Sequence, residues 1–170
     1  MSHLALFLFG PPRLQRDGIT IEITRRKAMA LLVYLAVTGA NHSRSALANL
    51  LWPEYDQRRA RADLRRTLSV LNKALPGDLL LAEREIVSLN GQNKLWLDVK
   101  EFRELLAECQ RHGHPPNEVC PACLPFLTGA VELYQDDFLA GFTLSDSTNF
   151  DEWQFFQTEQ LRAELARALT

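Results

Sequence analysis

Six of the nineteen Lys and Arg residues fall between positions 57 and 75, and Asp63 is the one acid among them. Placed on a helix of about 3.6 residues per turn, this stretch separates into two faces. Ala60, Leu64, Leu68, Leu71 and Leu75 form an apolar stripe, which has to be the core side. Arg58, Arg59, Arg65, Arg66, Ser69 and Lys73 lie opposite, with Arg61 and Asn72 at the shoulder and Asp63 off the basic arc. The chemistry open to such a face is recognition of duplex DNA. A major groove about 12 Å wide admits one helix, arginine can pair with guanine N7 and O6, and asparagine can pair with adenine. The remaining cations would neutralise phosphates and release counterions. A solvated surface helix usually mixes signs; this one does not. A short helix in front would cross the DNA backbone, bringing Ser43 and Arg44 near a phosphate.

A second group of chemically capable residues lies further on. Cys109-x-x-His112-x-His114 and Cys120-x-x-Cys123 hold all three cysteines and two of the four histidines. Thiolate and imidazole at such spacings suit a tetrahedral zinc site, with one histidine to spare. Two other readings stand beside structural zinc. Cys109 can be a small buried hydrophobe, and Cys120 with Cys123 can pack or form a redox-sensitive pair.

Other chemistry is not visible. There is no G-x-x-x-x-G-K-[ST] phosphate loop and no G-x-S-x-G elbow, and the carboxylates of the second half are spread along helix surfaces, so no enzyme is expected. With 46% hydrophobic and 24% charged residues, the 170-residue chain reads as globular. No stretch reaches the roughly 20 apolar residues that span a bilayer, so a cytoplasmic location without a membrane partner is expected. The odd cysteine count argues against a secreted disulfide scaffold. The net charge of −2 hides an asymmetry: residues 1–75 carry 12 Lys/Arg against 5 Asp/Glu, residues 76–170 carry 7 against 16. A polyanionic partner therefore suits the first half alone.

The elements that must position these residues follow in order. Two strands, Leu4–Phe9 and Ile19–Ile23, flank turn signals at Pro11-Pro12 and Asp17-Gly18. A helix runs from Arg25 to about Val37 and stops at Gly39. Ser43 or Ser45 caps a short helix with Leu47, Leu50 and Leu51, and Asp56 caps the helix Gln57–Leu75. Leu79–Ala82 and Ile86–Leu89 form a hairpin with Glu83-Arg84-Glu85 at its tip, where Arg84 is a further DNA candidate, and Leu95–Leu97 adds a strand. The layout predicts a winged helix-turn-helix with extra N-terminal strands over residues 1–97. Residues 98–170 read as an all-α unit. An Asp98-x-x-Glu101 capping box opens a helix with Val99, Phe102, Leu105, Leu106 and Cys109 on one face. A Pro-rich loop covers His112 to Pro121, and a second helix covers about Ala122–Tyr134. A third helix, capped by Thr148, carries Phe150, Trp153, Phe156, Leu161 and Leu165. It runs to Thr170 without a stop signal, so a longer protein is expected.

Two motifs carry a family resemblance. Leu50-Leu51-Trp52-Pro53-Glu54, continued by the Arg59–Leu75 pattern, resembles the DNA-binding region of the bacterial SARP/AfsR-like activators, whose domain is an OmpR-type winged helix. Leu133-Tyr134-Gln135-x-Asp137-Phe138-Leu139-Ala140-Gly141-Phe142, followed by Glu152-Trp153, is similar to the bacterial transcriptional activator domain of the same proteins, a tetratricopeptide-like array. The resemblance implies a transcriptional activator that binds repeated promoter sites in double-stranded DNA, with several copies side by side. It also implies contacts of the helical part with RNA polymerase or with downstream domains. The chain departs from the pattern at its acidic wing tip, where Arg84 alone, or Gln92, Asn93 and Lys94 instead, would meet DNA. Two non-enzymatic alternatives are a protein-interaction module with a merely structural winged helix and a zinc-dependent sensor.

Overall fold

The computed structural model describes residues 3–90, 95–111 and 121–169. Its elements are β1 (Leu4–Phe7), β2 (Arg13–Arg16), β3 (Ile19–Ile21), α1 (Arg26–Thr38), β4 (His42–Ser43), α2 (Arg44–Leu51), α3 (Gln57–Ala74), β5 (Leu80–Ala82), β6 (Ile86–Leu89), β7 (Leu95–Leu97), α4 (Asp98–Gln110), α5 (Leu124–Leu133) and α6 (Thr148–Leu169). This is a winged helix-turn-helix with added N-terminal strands, followed by a helical unit.

The strands divide into two sheets, ordered β3-β2-β1-β7 and β4-β6-β5. Leu6 of β1 faces Leu14 of antiparallel β2 on one side and Leu97 of parallel β7 on the other, so the sheet's centre is apolar. The N-terminal part therefore has three strands where two are expected from the sequence. β2 escapes pattern reading because Arg13-Leu14-Gln15-Arg16 offers only Leu14 to the core, too little for a visible alternation. Asp17 and Gly18 turn the chain between β2 and β3 at φ 53° and 82°, where glycine is at ease. The second sheet is the wing, and its first strand is two residues long, which periodicity cannot detect.

α1 is buried along most of its length, from Ala28 to Val33 and at Leu35, and ends where Gly39 adopts the left-handed conformation. α2 and α3 pack on it. The expected stripe of α3 is all inside: Ala60, Leu64, Leu68, Leu71 and Leu75 are each no more than 5% exposed.

One short segment joins the halves. Beyond β1 the chain continues through Leu8, Phe9 and Gly10, and its backbone is engaged from two sides. The Asp98 carboxylate accepts from the N–H groups of Leu8 (2.9 Å) and Phe9 (3.0 Å). On the other side Leu139 N–H donates to the Leu8 carbonyl (2.9 Å), and Gly10 N–H donates to the Asp137 carbonyl (3.0 Å). Asp98 is thus not the N-terminal member of a capping box. It is the first residue of α4, it accepts from Val99 N–H, and its remaining acceptor capacity serves the Leu8–Phe9 segment about ninety residues away. Burial pushes its carboxyl above the usual range, and the backbone N–H groups of Phe9, Leu8, Val99 and Asp98 itself act against that shift.

Aromatic packing completes the joint. Phe9 meets Phe102 of α4 at 5.2 Å and Tyr134 at 4.6 Å between ring centroids. Phe150 and Leu161 of α6 are fully buried, and Trp153 meets Tyr34 of α1 at 4.9 Å. Phe156 does not join them and is 63% exposed. Six residues past Phe150, at about 100° per residue, it points roughly 240° away from the buried face.

Replacing Asp98 with alanine leaves the Leu8 and Phe9 N–H groups buried without an acceptor, at about 1–3 kcal/mol for each. We expect the Asp98→Ala chain to unfold at a clearly lower denaturant concentration than the wild type. An unchanged midpoint in guanidinium titration would show that the clasp contributes nothing.

Candidate nucleic-acid interface

The helix-turn-helix is built by local signals that the sequence carries. Ser43, rather than Ser45, caps α2, its hydroxyl accepting from Ala46 N–H at 3.0 Å. Asp56 caps α3, accepting from Arg59 N–H at 2.9 Å. The turn between them holds Trp52, which is 5% exposed, and Tyr55, half-buried. These contacts fix the rotation of α3 about its axis, so the polar side of the helix is held outward.

On that outward side Arg58, Arg65, Ser69, Asn72 and Lys73 are exposed. Among the described residues Arg58, Arg65 and Lys73 enter no ion pair. Arg59 is exposed too, with its guanidinium 3.8 Å from the Tyr55 ring centroid, a stacking that orients it without neutralising it. Arg66 differs: it bonds Asp63 at 2.7 Å, three residues back. Asp63 therefore reaches the basic arc, which its angular position on the helix does not suggest.

The wing approaches α3 on one flank. Arg61 bridges to Glu85 at 3.4 Å. Arg44 donates through Nε to the Glu83 carbonyl at 2.8 Å and through its backbone N–H to the Glu85 carbonyl at 2.9 Å. Arg44 and Arg61 are thus joined to the acidic hairpin tip, while Arg84 at that tip is exposed. Gln92, Asn93 and Lys94 lie outside the described residues. Sequence reasoning passed over Tyr55, and it took Arg25-Arg26-Lys27 only as the start of a helix. Three consecutive cations ahead of an apolar run were the available signal.

The wing's edge strand β4 also carries a titratable group. The Thr38 hydroxyl donates to the Tyr34 carbonyl at 2.7 Å and lies 2.8 Å from His42 Nε2, so Nε2 supplies the N–H of that bond. His42 pairs with Val87 of β6, its ring lies 4.8 Å from that of Tyr34, and burial lowers its pKa.

Of the cysteine–histidine group, Cys109 and Cys123 are described. The buried Cys123 thiol lies 3.5 Å from the Cys109 carbonyl, tying the start of α5 to the end of α4. His112, His114 and Cys120 lie outside the described residues, and among those described no three possible ligands converge.

The α2–turn–α3–wing arrangement with an outward basic face defines a protein of the winged helix-turn-helix fold. No family model matches the chain. In sequence it is similar to the regulatory protein AfsR of Streptomyces coelicolor, at 26% identity over 152 residues. That match covers 86% of this chain but only 15% of AfsR, so the chain spans a small part of that relative's length. In fold it is similar to Mycobacterium tuberculosis EmbR, solved in complex with a low affinity phosphopeptide. The TM-score is 0.72 at 21% identity, covering 96% of this chain and 44% of that one. The likeness to AfsR agrees with the resemblance of the two sequence motifs to SARP/AfsR-like regulators, and the likeness to EmbR is one of fold. Among the described residues no helix is long and apolar enough to cross a membrane.

The pH dependence of the wing follows from His42. Its lowered pKa means that the folded chain binds fewer protons there than the unfolded one, whose histidine titrates near 6.5. Stability is complete above that value and falls as pH drops toward the folded pKa. We expect the melting temperature to fall between about pH 7.5 and 5.5, and to fall less in His42→Gln. Equal falls in both would remove His42 as the cause.

Proposed function

We propose that this chain is the DNA-binding part of a cytoplasmic transcription activator, with α3 lying in the major groove of duplex DNA. The observation that carries this reading is the state of the α3 surface. Arg58, Arg65 and Lys73 stand exposed and outside any ion pair among the described residues, and Ser69 and Asn72 stand between them. An exposed helix face with no role in binding gains little from concentrating one sign of charge. Such a face in the second helix of a helix-turn-helix is placed to meet base edges and phosphates together.

Residues 1–97 form the DNA-binding domain on this reading. Residues 98–170 form a helical domain that serves assembly on repeated promoter sites and contact with RNA polymerase or with the protein's own downstream domains. The charge asymmetry supports this division of labour, since the acidic helical half is repelled by DNA and free to meet protein. The wing contributes less than its position allows, because Glu83 and Glu85 face the same phosphates as Arg84 and the Glu85 carboxylate pairs with Arg61.

Selection of bound duplexes from a random pool should return a repeated motif. On the selected duplex, Arg58→Ala and Arg65→Ala should each weaken binding, by about 1–3 kcal/mol where the arginine meets a base. Affinity should fall steeply between about 50 and 200 mM salt. A chain that binds no duplex above background, or binds equally well without these two arginines, would overturn the assignment.

A further inference from the structure

The flank of α3 opposite the wing borders a cleft of about 310 Å³, formed where the start of α1, the side of α3 and the loop before α6 meet. Arg25, Arg26 and Lys27 line it from α1, Asp63 and Thr67 from α3, and Asp146 from the loop. Each acid already has a partner: Asp63 bonds Arg66 at 2.7 Å and Asp146 bonds Lys27 at 3.0 Å. Arg25 and Arg26 have none. Both are exposed, and neither enters an ion pair among the described residues. Both are nonetheless positioned. Arg25 reaches the hydroxyl of fully buried Thr67 on α3 at 3.5 Å, and the Arg26 guanidinium lies 5.7 Å from the Phe142 ring centroid. The first turn of α1 contains no acid.

A helix lying in a groove has a row of phosphates along each side. On the wing side the available charge is mixed, with Glu83 and Glu85 beside Arg44, Arg61 and Arg84, and Arg61 paired to Glu85. On the cleft side the uncompensated charge is positive and comes from two arginines, Arg25 held against α3 at Thr67 and Arg26 held against Phe142. We infer that Arg25 and Arg26 grip a backbone phosphate of the strand passing the α1 side of α3, and that Asp146 tempers this site by holding Lys27. The inference rests on the proposed placement of α3 in the groove. It adds a contact outside the recognition helix, and it puts a residue of the helical half within reach of the DNA-facing surface.

Salt-dependent binding of the selected duplex separates the two levels. Arg25→Gln with Arg26→Gln should weaken binding roughly tenfold at low salt and lower the slope of log affinity against log salt by about 1 to 2. The base preference should not change, because phosphate contacts carry no sequence information. Asp146→Asn should act in the opposite sense, releasing Lys27 and tightening binding several-fold with a steeper slope. All three positions are exposed, so far-UV circular dichroism and melting should match the wild type and exclude misfolding as the cause. A wild-type slope in the Arg25/Arg26 variant, with binding lost in Arg58→Ala and Arg65→Ala, overturns this inference and leaves the groove reading intact. A wild-type chain that binds no duplex overturns both. Unchanged binding in Asp146→Asn removes the tempering role.

Discussion

The backbone of Leu8, Phe9 and Gly10 is the constraint on which the rest of the molecule depends. These residues leave the N-terminal sheet with buried N–H and C=O groups that no strand satisfies, and a buried backbone group without a partner is costly. The helical half supplies the partners: the Asp98 carboxylate on one side, the Asp137–Leu139 backbone on the other. Leu139 takes a left-handed φ of 54° at this point, unusual for a branched side chain and tolerable only where its surroundings hold it. The Leu133–Phe142 motif thus has a structural reason in this chain. Tyr134 bonds Asp137, Arg162 of α6 bonds Asp137 as well, and Phe138 is buried. Burial and the Asp137 carboxylate push the Tyr134 hydroxyl up to about 12, so this knot keeps one protonation state across the physiological range.

Much of this was legible in the sequence, and what was not has definite causes. Helices with a long apolar stripe and capping residues, such as α1 and α3, stood out because the period of 3.6 and the caps agree. β2 did not, because Leu14 is its one apolar residue, and β4 did not, because two residues cannot display a period of two. The role of Asp98 was misread for a related reason: a capping box is a local pattern, and the donors that claim this carboxylate lie about ninety residues away. Phe156 shows the converse, an apolar residue in a helical pattern that fails to reach the core because the buried arc of α6 is narrow.

The candidate interface divides along the same line. Angular position on α3 was enough to separate the buried stripe from the exposed cations. It could not say which cations are engaged. Asp63 reaches Arg66, and the wing claims Arg44 and Arg61, because long side chains and a hairpin remote in sequence meet there. The outcome is a graded surface: among the described residues Arg58, Arg65 and Lys73 enter no ion pair at the centre, Arg61 is paired and Arg44 held on a backbone carbonyl toward the wing, and Arg25 and Arg26 form a second group without an ion pair. An arginine that must leave an exposed carboxylate before meeting a phosphate gains less from the exchange, so the centre and the α1 flank carry most of the available electrostatic attraction.

The packing of α6 bears on how rigid this surface is. Ser147, just before α6, donates its hydroxyl to the Leu51 carbonyl at 2.6 Å, and Asn149 donates to the Asn49 carbonyl at 3.0 Å. Both acceptors lie in the last turn of α2, where carbonyls have no partner within their own helix. The helical half therefore completes the C-terminus of the helix that precedes the recognition helix, while Trp153 packs against Tyr34 on α1 and Asp146 holds Lys27. Its footprint falls on all the elements that support α3 except the wing. A change in how α6 sits would alter the backing of α2 and α1 together, and with it the angle at which α3 is presented. Separating the two halves would expose the Leu8–Gly10 backbone as well as the end of α2. The helical part is thus as much a buttress of the basic surface as an appendage to it.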